Sequence, residues 1–138
     1  MLRHICWSVV ALVGLYTAAG AQKPVGVSGT WNVTSVVGAN DSVLIIFALT
    51  IAPDGKSATM KIPTQDPVPM RILALGGDSL VTEAGPYRSI VRAGESVTLL
   101  RTVVYFKDDA MWGTFEARYA NGDVVKGRTE ATRVDGPR

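Results

Sequence analysis

The sequence predicts an all-β fold, in which an antiparallel up-and-down meander of eight or nine short strands closes into a small barrel. The arms 110–119 and 124–133 alternate with period two around Asn121-Gly122, which is a strong hairpin signal. Turn residues recur at short intervals along the chain, and no stretch has a convincing helical period. A meander of this length with one apolar face closes into a barrel or packs as two sheets, so a β-sandwich is the alternative.

Residues 1–21 have the features of a secretory signal peptide. Arg3 and His4 form a short basic start, residues 5–16 are mostly apolar, and Ala19-Gly20-Ala21 is a small-residue cleavage site. The apolar run is shorter than the roughly 20 residues that a transmembrane helix needs. We therefore expect a protein exported to the bacterial periplasm or the extracellular space.

The rest of the chain is expected to be one domain. Residues 22–28 are predicted as a flexible lead-in, 29–134 as the barrel and 135–138 as a tail. The predicted strands are, in order, 29–37, 42–51, 57–62, 70–75, 79–83, 87–92, 96–106, 110–119 and 124–133. A helix is the alternative for 43–51, but its β-branched residues favour a strand. Residues 63–69 hold three prolines and are expected to form the longest loop, at the rim.

Composition excludes several classes of function. The only histidine and the only cysteine, His4 and Cys6, lie in the predicted signal peptide, so the mature chain lacks the usual residues of catalytic triads, thiol enzymes and zinc sites. Arg3 is the only one of the 14 basic residues in that segment, and 12 acidic residues oppose the others, so nothing indicates nucleic-acid binding. We expect no enzyme activity, no cofactor and no metal.

The polar face of the last hairpin argues against a membrane-spanning barrel. If that face pointed outward it would expose charges that lipid would not tolerate, namely Glu116, Arg118, Lys126, Arg128 and Glu130. We therefore expect no integral membrane span in the mature chain.

Gly29-Thr30-Trp31 opens the first strand, and the last strand carries arginines. A Gly-x-Trp at that place, followed by a meander ending in an arginine-bearing strand, resembles the lipocalin (calycin) families. The resemblance implies that Trp31 lies at the closed end of the barrel, with Arg133, or alternatively Arg128, packed across its ring. It also implies that the barrel binds a small apolar or amphipathic ligand.

The inward face of the last two strands contains small residues. They either leave room for a ligand or accommodate large neighbours such as Trp31, and the sequence leaves both readings open. Candidate ligand-binding residues are Phe47, Arg101, Tyr105, Phe115 and Tyr119. Arg101 and Tyr105 are placed on one face with Val97, Leu99 and Val103.

Trp112 is predicted to point outward, where tryptophan is frequent in interfaces. The sequence therefore supports two hypotheses. The first is a non-catalytic exported barrel that binds a small apolar or amphipathic ligand. The second is a protein-binding module, for example a protease inhibitor or a partner of an envelope complex. The expected assembly is a monomer or a homodimer.

Overall fold

The computed structural model describes residues 25–134, which form nine β-strands. They are β1 (Gly29–Val37), β2 (Ser42–Ile51), β3 (Ser57–Lys61), β4 (Val68–Leu75), β5 (Ser79–Ala84), β6 (Tyr87–Arg88), β7 (Ser96–Lys107), β8 (Ala110–Tyr119) and β9 (Val124–Arg133). Among the described residues there is no helix with the length and apolar character that crossing a membrane requires.

Eight of these nine strands form a closed antiparallel barrel. Strands β1 to β5 pair in sequence, β5 pairs with β7, β7 to β9 continue, and β9 pairs back on β1. In the closing pair Trp31 lies opposite Arg133 and Val36 lies opposite Arg128. The short strand β6 pairs with the start of β7 and stands outside the ring. The predicted all-β meander closed into a barrel is confirmed.

The β8–β9 hairpin is the element that the alternation predicted. Gly122 has a φ of 94°, a backbone conformation that favours glycine. The side-chain oxygen of Asn121 accepts a hydrogen bond from the backbone N–H of Asp123 at 2.9 Å. Phe115 lies opposite Gly127 on the inward face, where the missing side chain leaves room for the aromatic ring.

Strand β7 contains a register shift that exchanges its inward and outward faces. Val97 is buried, the ladder to β8 shifts between Val97 and Leu99, and Leu100 is then the next buried residue. A β-bulge inserts one residue, so every later side chain changes face. Arg101 and Tyr105 therefore lie on the outer surface, and the prediction that they share a face with Val97 is wrong.

Strand β4 begins inside the predicted proline loop. It starts at Val68, and Pro69 pairs with Thr59 of β3. The ladder between β4 and β5 begins only at Met70, so Pro69 has a strand neighbour on one side alone. A proline is tolerated at such a place because the N–H it lacks has no partner strand on the open side.

The predicted strand 87–92 is mostly a turn. Only Tyr87–Arg88 form β6, and the backbone N–H of Ser89 donates to the carbonyl of Glu95 at 2.9 Å. The Ser89 hydroxyl oxygen accepts hydrogen bonds from the backbone N–H groups of Val91 at 3.2 Å and Arg92 at 3.0 Å. A serine that satisfies the backbone locally in this way favours a turn over an extended strand.

Residues 25–28 pack across one end of the barrel, in contrast to the expected flexible lead-in. Val27 is fully buried, and the backbone N–H of Val25 donates to the Pro53 carbonyl at 3.0 Å. The rest of the lead-in, the signal peptide predicted for residues 1–21 and the tail at 135–138 lie outside the described residues.

Candidate functional site

The two ends of the barrel are formed by different segments of the chain. One end, which we call the floor, carries residues 25–28 and the turns 52–56, 76–78 and 108–109. The other end, the mouth, carries the segments 38–41, 62–67, 85–95 and 120–123.

Trp31 and Arg133 plug the floor. Trp31 is fully buried, and its indole N–H donates to the Val27 carbonyl at 2.9 Å. The Arg133 guanidinium lies 4.4 Å from the centre of the indole ring. It donates to the backbone carbonyls of Ser28 and Gly26 and to the Asp109 carboxylate, the last at 2.9 Å. A cation on an indole face, with its planar fork satisfied by oxygens, is a strong contact at a partly buried site.

Arg128, the alternative partner for the tryptophan, lies towards the mouth. It pairs with Asp41 of the β1–β2 turn.

A cavity of about 40 Å³ lies inside the mouth half of the barrel. Its deep wall is apolar and includes Phe47 of β2, Met60 of β3, Leu100 of β7 and Phe115 of β8. Each of these side chains is buried. Dispersion and the exclusion of water therefore favour an apolar occupant at this depth.

Between β2 and the turn after β6 the cavity reaches the surface. Leu44 and Ile45 line it on one side, and Ile90 and Val91 line it on the other. Strand β2 pairs with β3 only over residues 48–51, so its first half has β1 as its sole strand neighbour in the described barrel. Ile90 and Val91 are each 40% exposed, so an apolar rim surrounds the opening.

Some of the small inward residues leave room for a ligand, and others accommodate large neighbours. Ala117 and Thr129 line the cavity and leave space open. A Cβ on Gly113 would instead lie 2.0 Å from the Val103 carbonyl oxygen, and one on Gly127 would lie 2.6 Å from the Phe115 ring. The glycines therefore accommodate packed neighbours, whereas alanine and threonine shape the cavity.

The structure brings together three of the five predicted ligand-binding residues. Phe47, Phe115 and Tyr119 all line the cavity. The Arg101 side chain is 54% exposed and pairs at 3.9 Å with Glu83, and Tyr105 is 50% exposed. These two residues do not line the cavity because the bulge in β7 turns them outward.

Sequence reasoning missed the side of the rim formed by Ile90 and Val91 and the residues beside Tyr119. A signal for β2 was present, since 43–47 is continuously apolar and exceeds what one inward face requires. The sequence contains no comparable signal for Tyr87 and Ser89, since residues 87–92 have the pattern of a regular strand.

Two hydroxyl groups meet at the mouth side of the cavity, and a third hydroxyl-bearing residue lines the same cavity. The hydroxyls of Ser89 and Tyr119 lie 3.4 Å apart, and both residues are buried. Tyr87 lines the same cavity, and Tyr119 contributes electrostatically to its pKa. We call these three residues the hydroxyl corner. A ligand would meet these polar groups beside the apolar wall, and the hydroxyl residues Ser35, Thr102 and Thr129 also line the cavity.

A charged cluster lies over the outer side of the hydroxyl corner. The Arg92 guanidinium lies 4.4 Å from the centre of the Tyr119 ring and donates to the Asp123 carboxylate at 2.9 Å. Glu95 lies 3.6 Å from the same guanidinium, and Asn121 donates to Glu95 at 3.0 Å. This cluster joins the 89–95 turn to the β8–β9 turn and leaves Arg92 neutralised by two carboxylates.

Burial, with a smaller contribution from Tyr119, raises the pKa of Tyr87 above its ordinary value of 10.0. The neutral phenol is thus favoured in the folded state, so its contribution to stability is present below pH 10 and declines as the pH rises further. We expect Tyr87→Phe to reduce the loss of unfolding free energy between about pH 9 and pH 11, measured by urea unfolding at each pH. The matched control is Tyr105→Phe on the outer face, and equal slopes for the two variants would contradict the assignment.

The outer face carries an aromatic pair. Trp112 lies directly opposite Tyr105 across the β7–β8 ladder, and they are 46% and 50% exposed. The outward orientation predicted for Trp112 is thus found.

No group of three or more His, Cys, Asp and Glu side chains that could hold a metal ion occurs between residues 25 and 134. Comparison of the chain with protein-family models, with curated proteins and with solved structures gives no match.

Proposed function

We propose that this chain is an exported, non-catalytic barrel that binds a small apolar or amphipathic molecule at its mouth. The observation that carries the proposal is the apolar cavity with an apolar rim. None of the side chains that line it is Asp, Glu, Lys or Arg. Burial of an alkyl chain in such a site is favourable by about 0.8 kcal/mol for each methylene group.

The size of the cavity limits what enters it. One water molecule needs roughly 10–15 Å³ of such space, and the cavity measures about 40 Å³. It therefore suits a short length of unbranched chain better than a ring system. The remainder of a longer ligand would lie on the rim, against Ile90, Val91 and Ile45.

A titration with alkyl probes tests the proposal. We expect octan-1-ol and octane to raise the melting temperature and to shift NMR signals of residues that line the cavity. Ala117→Leu adds three carbons where Ala117 lines the cavity, and we expect it to weaken octan-1-ol binding by about tenfold or more. Ala74→Leu, at an exposed position of β4, is the matched control and should leave binding unchanged. Equal affinities for the two variants would place the ligand elsewhere.

The aromatic pair favours a second candidate function, a protein-binding module that docks through Tyr105 and Trp112. Aromatic side chains are enriched in protein interfaces, and these two form one exposed patch. The same titration separates the candidates. If no alkyl probe binds at concentrations up to its solubility in water, the ligand-binding proposal fails and the protein-binding module stands as the better explanation.

A further inference from the structure

The hydrogen bonds of the hydroxyl corner have a defined direction. The Ser89 oxygen accepts from two backbone N–H groups, those of Val91 and Arg92, which uses its lone pairs. Its own proton is therefore directed to the Tyr119 oxygen, at 3.4 Å. Tyr119 then acts as the acceptor in that contact, and its O–H proton is free to be donated.

The corner therefore offers donors to a ligand. Tyr119 has its proton available, and Tyr87 presents a second phenol to the same cavity. The Ser89–Tyr119 contact is long for a hydroxyl pair, whose usual separation is about 2.7–2.8 Å. Among the described residues, the Tyr119 hydroxyl therefore has no short hydrogen bond.

The same corner is unfavourable for an anion. Arg92, whose guanidinium lies over the Tyr119 ring, is already paired with Asp123 and Glu95, and none of the side chains that line the cavity is positively charged. A carboxylate placed against the cavity wall would lose its hydration without gaining a free positive partner, and that loss is costly. The raised pKa of Tyr87 has the same physical cause, because burial there disfavours a negative oxygen.

We infer that the hydroxyl corner selects single-chain amphiphiles whose headgroup is uncharged and presents an acceptor oxygen, such as alcohols and esters, over fatty carboxylates. This inference rests on the proposed function and specifies its ligand class. The headgroup lies at Tyr87 and Tyr119 near the mouth, and the alkyl chain extends along Leu100 and Phe115 towards Phe47. The ligand's oxygen then meets two donors, and its chain meets an apolar wall.

A headgroup series of constant chain length tests the inference. We expect octan-1-ol and methyl octanoate to bind about tenfold or more tightly than octanoate at pH 8, measured by isothermal titration on the purified protein. Tyr119→Phe and Tyr87→Phe should each weaken octan-1-ol binding by about three- to tenfold, the equivalent of one hydrogen bond. Octane binding, which uses no hydrogen bond, should be unchanged in both variants. Tyr105→Phe is the matched control, since it removes a phenol from the outer face.

The possible results separate this inference from the proposed function. If octanoate binds as tightly as octan-1-ol, or if the two corner variants behave like Tyr105→Phe, headgroup selection is overturned while binding of the alkyl chain stands. If octane, octan-1-ol and octanoate all fail to bind, both proposals fail together. Melting temperatures of the variants establish that each remains folded at the temperature of the titration.

Discussion

Replacing Trp31 with alanine is expected to lower the free energy of unfolding by about 3–5 kcal/mol. The indole is fully buried at the floor, donates to the Val27 carbonyl and carries the Arg133 guanidinium on its face. Its removal leaves a large cavity and deprives Arg133 of its stacking partner. Chemical denaturation followed by circular dichroism measures the loss.

Trp112→Ala is the matched control, because it removes the same side chain from an exposed position. We expect that variant to lose less than about 1 kcal/mol. A double-mutant cycle with Trp31→Ala and Arg133→Ala should give a coupling energy of about 1–2 kcal/mol. Equal destabilisation by Trp31→Ala and Trp112→Ala would show that the floor contact does not hold the barrel closed.

The second large effect is expected at Gly113, where alanine should destabilise the barrel by about 3 kcal/mol. A Cβ there would lie 2.0 Å from the Val103 carbonyl oxygen and 2.7 Å from the Val104 Cα. The three nearest atoms all belong to the backbone of β7, so no side chain can rotate away to make room. Thermal unfolding measures the loss as a lowered melting temperature.

Gly77→Ala provides the control for Gly113→Ala. Gly77 lies in the β4–β5 turn, and a Cβ added there meets no atom within 4 Å. We expect its unfolding free energy to stay within about 0.5 kcal/mol of the parent protein. If Gly113→Ala were equally mild, β7 and β8 would have to lie further apart than described above.

The fold was predictable because each strand and turn is specified by residues that are close together in the sequence. Asn121-Gly122 between alternating arms specifies the last hairpin, and short turns between the other strands leave only antiparallel neighbours. The closure of β9 on β1 followed from the length of the meander rather than from any single residue. That prediction needed no knowledge of side-chain contacts.

The faces of β7 were not predictable from alternation. The stretch from Val97 to Tyr105 reads equally well in either phase, since Leu99 and Leu100 are adjacent. Only the bulge near Leu99, which depends on how β7 pairs with β8, decides that Leu100 is inward and Arg101 is outward. A one-residue shift of this kind exchanges an entire face, so two of the five candidate ligand residues were misplaced.

The candidate site was partly predictable for a similar reason. Phe47, Phe115 and Tyr119 lie on strands whose alternation is regular, and they line the cavity. Ser89 lies in a turn held by its own side chain and by Glu95, a non-repetitive arrangement without periodic signal. The hydroxyl corner therefore becomes visible only when the turn and the end of β8 are seen together.

The contact between Trp31 and Arg133 also determines when the barrel can close during synthesis of the chain. The two residues stand about one hundred positions apart in the chain, yet they belong to one ladder. Until β9 has been synthesised, β1 and β8 each have an unpaired edge in an open sheet, and the Arg133 side chain that packs on Trp31 is absent. The barrel therefore closes only after β9 has been synthesised, and a chain shortened before β9 would expose strands that invite aggregation.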